Sequence, residues 1–401
     1  MSDPRPISAL PEGLGADTLA IRGGQQRTPF GETAEPIFLT QGYVYEQAAD
    51  AEAAFAGKAD RFIYSRYGNP TVSAFEERMR LIEGAEACYA TATGMSAVFT
   101  ALAALVKSGS RIVAGNALFG ATFTVLNQIL GKWGVQTDYV RAHVLSDWEE
   151  ALATPADVVL FETPSNPMQD LVDVAKVSEL AHRAGAVVIL DNVFATPVLQ
   201  QPLQLGVDVV VYSATKHIDG QGRVLGGAIL GTRDYIEGPV KQMVRATGPT
   251  LSPFNAWVLL KGLETLSLRV RAQSAAALDL ARWLETQPQV RGVRYPFLDS
   301  HPQVALAREQ MSGGGTVVTV DLALDGDPDS VKERTFAFLD ALHLVDVSNN
   351  LGDLKSLATH PATTTHSKIA REDRLAVGIT DSTVRLSVGL EDPADLRADL
   401  T

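Results

Sequence analysis

"VVVYSATKHIDGQGR", residues 209–223, sets a lysine where an apolar strand ends. The run opens at Val207, and Val209, Val210 and Val211 form a continuous apolar stretch of the kind found in buried strands. Ser213, Thr215 and Lys216 follow, with Gly220, Gly222, Gly226 and Gly227 close behind. A lysine at a strand end ordinarily extends its amine into water. Hydroxyls before it and open glycine backbone after it point instead to a bound group that needs an amine, donors and close main-chain approach.

Outward from this stretch, apolar runs alternate with helical patterns over residues 86–232. "EACYAT" (86–91), "RIVAGN" (111–116), "GVQTDYV", "DVVLFET", "AVVILDN" and "VDVVVYSAT" are strands in the making. Between them lie helical patterns from Met95 to Val106, over "GATFTVLNQIL" (120–130), and over "VDVAKVSELAHRAG" (172–185), the last with a glycine stop. Such alternation predicts an α/β fold with a mainly parallel sheet covered on both faces. Ligands of such sheets sit beyond the carboxyl ends of the strands, where the unusual residues of this chain also fall. Past residue 255 the pattern changes. One long helical stretch, "AWVLLKGLETLSLRVRAQSAAALDLARWLETQ", leads into "GGGTVVTVDLAL" and "STVRLSVGLED", the makings of a smaller α+β domain. The first 60 residues have weak periodicity and read as an arm that wraps over a neighbour. The expected division is an extended arm over 1–65, a cofactor-binding α/β domain over 66–260 and a C-terminal α+β domain over 261–401.

A chain of 401 residues exceeds one ordinary core, in keeping with more than one domain. A net charge of −13 argues against a general nucleic-acid binder, which needs a basic face. The longest apolar stretches, such as "AVFTALAALV" (97–106), are too short to span a bilayer. "MSDPRPISALPEGLG" has no apolar signal core and reads as a flexible lead, so the cytoplasm is the expected compartment. Cys88 is the only cysteine, which rules out an internal disulfide framework and a CxxC metal site. Seven scattered histidines contain no HExxH, and no metal is expected.

Asp191 ends "AVVILD", and an aspartate after five apolar residues is costly to bury without a cationic partner. A helix cap or turn would account for it equally well. Lys216 comes 25 residues later, at or near the end of the next-but-one apolar run, so the two can face one cleft. Pyridoxal phosphate needs this combination: a lysine to hold its aldehyde carbon, a carboxylate on the protonated pyridine nitrogen, and donors around its phosphate. "TATGMSAV" (91–98) supplies such a cradle at a strand-to-helix junction, where the amides of Gly94 and Met95 can meet an anion near the positive helix end. Ser213 and Thr215 can add hydroxyl donors. The chain has no GxxxxGK[ST] loop and no GxGxxG after its first strand, which disfavours a nucleotide enzyme. Phe119 in "LFGAT" is placed to stack on a planar ring, although an isolated phenylalanine is more often core. "YSRYGNPT" (64–71) packs Tyr64, Arg66 and Tyr67 into a turn, suited to phosphate or simply to solvent.

Together, "YSRYGNPT", "ATGMSA", "FETPSNP", "LDNVFATP", "SATKHIDGQGRVLGG", "SLATHPATTTH" and "RLSVGLED" resemble the Cys/Met-metabolism enzymes, pyridoxal-phosphate proteins of fold type I. The resemblance runs in order from about Thr40 to Asp392. It implies that Lys216 holds the cofactor and shuttles protons, with Asp191 on the pyridine nitrogen and Phe119 over the ring. It places Gly94, Met95, Ser213 and Thr215 at the phosphate. Tyr64 and Arg66 are implied to reach the phosphate of a neighbouring subunit, Tyr64 also having a catalytic part, in a homotetramer built from dimers that share active sites. Asn166 lies near the cofactor hydroxyl and the substrate, and Arg385 and Ser356 near the substrate α-carboxylate. A guanidinium suits a carboxylate chemically, while Arg385 alone would also pass for a strand-edge surface charge.

Three departures from the family pattern narrow the expectation. Phe119 stands where many members carry a tyrosine, so a phenolic donor is missing there. Ala121 stands where methionine γ-lyases usually carry a cysteine. "LGDLKS" (351–356), with Lys355, resembles the homoserine-ester sulfhydrylases, whose acetyl-ester members are usually longer than this chain. The resemblance therefore implies γ-replacement on an O-acylhomoserine, the succinyl ester foremost, with sulfide as nucleophile. Cystathionine γ-synthase and γ-lyase chemistry are the alternatives.

Overall fold

The alternating pattern of residues 86–232 is built as seven strands in the computed structural model, which describes residues 11–25 and 27–401. They are β1 (Ala87–Thr91), β2 (Arg111–Gly115), β3 (Gln136–Val140), β4 (Val158–Glu162), β5 (Val187–Asp191), β6 (Val209–Ser213) and β7 (Gly227–Gly231). Their order in the sheet is β1-β7-β6-β5-β4-β2-β3. Strands β2 to β5 pair in parallel, with Ile112 opposite both Thr137 and Val158, and Glu162 opposite Asp191. Every residue of β4 is buried, which is why the central strands read as unbroken apolar runs rather than alternating ones. One strand escaped the sequence pattern. The segment "GAILG" forms β7 and runs antiparallel to β1, with Ala87 opposite Gly231. Flanking glycines weaken the apolar signal of such a strand.

A second sheet holds β8 (Val290–Arg294), β9 (Val317–Leu322), β10 (Asp346–Val347), β11 (Leu357–Thr359) and β12 (Thr383–Ser387), in the order β10-β11-β12-β9-β8. All its pairings are antiparallel except β10 with β11. Its core gathers Ala277, Leu280 and Leu284 of one helix against Val318, Val320 and Leu386.

The chain packs as two compact units. One contains the described residues up to Ala104 with Val211–Asp219 and Arg223–Thr265; the other contains Leu105–Val210, Gly220–Gly222 and Leu266–Thr401. In the first unit, Asn69 caps the helix Pro70–Glu83 by accepting from the Thr71 amide at 2.9 Å, and Gly84 closes it at φ 74°. A cap of this kind is worth about 1 kcal/mol. Phe75, Met79 and Ile82 on this helix are buried, and so is Arg78, whose charge is met by Glu35 at 2.5 Å. The helical pattern over 256–287 is not one helix but two, Pro253–Leu263 and Leu266–Leu284. Near the end of the first, the backbone makes a close approach that no local pattern reveals: a Cβ on Gly262 would sit 2.2 Å from the Ile218 carbonyl. Lys261 also binds Glu264 at 2.8 Å and Glu35, pinning the end of the first helix.

The arm carries two short helices, Ala16–Arg22 and Ala48–Phe55, and otherwise irregular chain. Residues 1–10 of the expected lead lie outside the described residues. Among the described residues no helix is long and apolar enough to cross a membrane.

Candidate active site

In the first unit, β1 runs into the helix Gly94–Ala103 through a turn held by Thr93. The Thr93 hydroxyl accepts from the Ser96 amide at 3.0 Å and pairs with the Ser96 hydroxyl at 2.9 Å. This cap leaves the amides of Gly94 and Met95 in the first turn, at the positive end of a ten-residue helix. Gly94 lets that end come down onto the end of β6. A Cβ there would lie 2.5 Å from the Ser213 Cβ and 2.7 Å from its hydroxyl oxygen. The same closeness recurs at Gly227, where a Cβ would stand 2.3 Å from the Thr93 carbonyl. Helix-start amides and the Ser213 hydroxyl are thus gathered in one place, as an anion requires.

Lys216 sits half-buried on the turn that leaves β6, its amide bonded to the Ser213 carbonyl at 3.2 Å. The Thr215 hydroxyl accepts from the Gly226 amide at 3.1 Å and lies 3.3 Å from the Gly226 carbonyl, so it ties the glycine loop to the lysine turn. Tyr64 and Arg66 lie in the same unit. Arg66 stands 5.6 Å from the Tyr64 ring centre and 4.8 Å from that of Tyr67, and it donates to the Arg245 carbonyl. Arg66, Tyr67 and Arg245 line a cavity of about 850 Å³. Tyr64 remains 40% exposed.

In the second unit, Asp191 and Glu162 end neighbouring parallel strands as register partners. Asp191 accepts from the Val193 amide at 3.1 Å through Oδ1. Desolvation raises its pKa to about 7, against the pull of that hydrogen bond. A partner cation would reverse this shift. Phe119 follows β2 at the start of a short helix, and its amide donates to Glu162 Oε2 at 3.2 Å. With 41% of its surface exposed, Phe119 is not a core residue.

Arg385 lies on β12 between β11 and β9 and is 1% exposed, so it is no surface charge. Its Nη1 donates to Asn166 Oδ1 at 3.1 Å, and its Nη2 to the carbonyls of Asn349 and Asn350 at 3.0 and 2.9 Å. All three acceptors are neutral, and the buried Nε has no partner. A guanidinium has five N–H donors, so the Nε proton and one Nη1 proton stay available to an incoming anion. Burial pulls its pKa down to about 10, still well above neutrality.

Ser356 has hydrogen-bond partners within its own unit. Its hydroxyl donates to Glu391 at 2.8 Å and accepts from the Gly389 amide at 2.9 Å, and its own amide donates to Glu391 at 2.7 Å. That hydroxyl has no second proton to offer a substrate. Lys355 beside it is exposed. Two residues without an expected role also belong here. Glu162 follows an apolar run just as Asp191 does, and that signal was open to view. His366 is buried near Arg385 and Asn166; burial first, then the Arg385 charge, lowers its pKa to about 4, so it is a neutral imidazole at physiological pH.

A profile of the Cys/Met metabolism PLP-dependent enzymes matches residues 17–401. The chain belongs to this family. An O-succinylhomoserine sulfhydrylase of Mycobacterium tuberculosis is 62% identical over 399 residues, covering 100% of this chain and 98% of the relative. One from Pseudomonas aeruginosa is 48% identical, covering 97% and 95%. A cystathionine γ-lyase structure from Micromonospora echinospora superposes with a TM-score of 0.89 at 36% identity, covering 97% of this chain and 98% of that one. A Campylobacter jejuni structure with a TM-score of 0.90 at 31% identity covers 96% and 99%, and it contains N'-pyridoxyl-lysine-5'-monophosphate. Like the rest of the family, this protein is a pyridoxal-phosphate enzyme. The residues of each unit fit the group: in the first, an anion-binding helix start against Ser213 and a lysine on the turn after that strand; in the second, a buried strand-end carboxyl and an exposed aromatic face.

Proposed function

We propose that the protein is an O-succinylhomoserine sulfhydrylase, converting O-succinyl-L-homoserine and sulfide into L-homocysteine and succinate in methionine biosynthesis. The observation that carries this reading is 62% identity along the whole chain with a relative of that name. Across the reaction the Cγ–O bond breaks with its electron pair on succinate, and a Cγ–S bond forms from hydrosulfide. Pyridoxal phosphate supplies an electron sink beside the substrate's Cα.

This chain's residues do the rest. Lys216 Nζ holds the cofactor at rest and moves protons at Cα and Cβ. Asp191 keeps the ring nitrogen protonated, and Phe119 covers the ring face. The Gly94 and Met95 amides hold the phosphate with Ser213 and Thr215, and the Thr215 hydroxyl also ties the glycine loop to the lysine turn. Arg385, steadied by Asn166, receives the α-carboxylate through protons it has not committed. Ser356 holds the neighbouring backbone through Glu391. Phe119 has no hydroxyl, so proton delivery to the leaving carboxylate falls to Lys216, Tyr64 or water. Tyr64 and Arg66 serve the phosphate of a neighbouring copy, in a homotetramer built from dimers and located in the cytoplasm. The exposure of Tyr64 and of Phe30, Val44 and Leu39 along the arm supports that assembly.

The test is an assay with O-succinyl- and O-acetylhomoserine, each offered sulfide or cysteine. Succinyl ester with sulfide should give the highest kcat/KM, releasing homocysteine and succinate in equal amounts. Faster turnover with cysteine would identify a cystathionine γ-synthase. Elimination to a 2-oxo acid at the same rate without any nucleophile would identify a γ-lyase.

A further inference from the structure

Glu162 has no part in the reaction just described, yet it is built in with care. It is 4% exposed, it is the register partner of Asp191, and one of its carboxyl oxygens accepts from the Phe119 amide at 3.2 Å. Among the described residues no cation lies within ion-pair distance of it. Arg385 bonds Asn166, Asn349 and Asn350 instead.

Two carboxyl groups ending adjacent strands, with no cation paired to either, cannot both be ionised cheaply. One of them must face the protonated ring nitrogen of the cofactor, and Asp191 is the one left with an oxygen free of Phe119. We propose that Glu162 is a positioning residue, which fixes Phe119 through its main-chain amide and stands beside Asp191 as an uncharged acid. The proposal rests on the reading that Asp191 serves the ring nitrogen.

Three groups face Glu162 from the elements around it: Asp191 on β5, Arg385 on β12 and the Phe119 amide after β2. Burial first, then the Asp191 charge, push its pKa well above the carboxylate range; the Phe119 amide and Arg385 oppose them without prevailing. An uncharged Glu162 leaves the charge of Asp191 to the pyridine nitrogen and the charge of Arg385 to the substrate. An ionised Glu162 would compete for both.

The test compares Glu162→Gln with Glu162→Ala. Gln keeps the shape and the acceptor for the Phe119 amide but cannot ionise; Ala removes the acceptor. Pyridoxal phosphate is titrated into each cofactor-free protein, and the circular dichroism of the bound-cofactor band is recorded. Losing one buried acceptor costs about 1–3 kcal/mol, so Ala should weaken cofactor affinity about tenfold or more and diminish the band. Gln should stay within about twofold of the parent, less than 0.5 kcal/mol. If Gln falls as far as Ala, Glu162 acts as an anion and the proposal is wrong. An Ala variant indistinguishable from the parent also overturns it, because nothing is then positioned. Should Ala fail to fold, infrared difference spectra of parent against Gln decide: the carbonyl stretch of a protonated carboxyl must be present in the parent and missing in Gln. Asp191→Asn in the same titration keeps the two readings apart, since an unchanged absorption spectrum of its bound cofactor would refute the role of Asp191 alone.

Discussion

Asp191 is held by a single backbone amide, with its pKa raised to about 7 by burial, so its ionised form waits for a cation to face it. Asp191→Asn keeps the size and the acceptor but removes that charge. Cofactor should still bind, while kcat should drop at least about a hundredfold, the scale of losing one preorganised electrostatic partner. Steady-state turnover of the reconstituted variant checks this, and near-normal turnover would make Asp191 structural only. Asp191 stood out in the sequence as a carboxyl directly after an apolar run, and Lys216 as an amine set among hydroxyls and glycines. Glu162 follows "VVLF" in the same way and was still passed over, since its meaning lies in its cross-strand neighbour, which only pairing register reveals. The bonds of Ser356 were hidden for a related reason. Its partner Glu391 is far along the chain, and nothing local announces that the hydroxyl is already engaged.

The turn from β1 into the helix Gly94–Ala103 depends on two glycines that admit close backbone, not on favourable side-chain contacts. Gly94→Ala would force a methyl against Ser213 at 2.5 Å from its Cβ, where both the strand end and the helix start must give way. Overpacking of this kind costs about 1–3 kcal/mol. The expected result is a lower thermal midpoint together with weaker cofactor binding, read by calorimetry and by cofactor titration on the same preparation. Loss of stability with unaltered affinity would separate the helix start from the phosphate. At this scale the parallel strands were plain in the sequence, because burial on both faces writes itself as continuous Val, Ile and Leu. The interruption between Leu263 and Leu266 was not, since helical periodicity continues across it.

A shared active site makes a claim about the assembly that a mixing experiment can decide. Arg66→Ala and Lys216→Ala proteins should each be inactive. Mixed after reversible dissociation, a hybrid dimer would carry both lesions in one site and neither in the other, restoring up to about half of its sites. Hybrids shown to form but without activity would place Arg66 in its own subunit's site or in none. Arg385 has a different bearing on the whole molecule. With Glu162 uncharged, as proposed, Arg385 is a buried cation whose hydrogen-bond acceptors are all neutral, a cost to folding that a bound anion can offset. Thermal stability of the holoenzyme should therefore follow the charge of its ligand: an unreactive amino acid should raise the melting temperature, and its carboxamide, alike in shape but neutral, should raise it far less. Recognition of the α-carboxylate and completion of the native electrostatics are then one event, and an enzyme starved of substrate is also the one most easily unfolded.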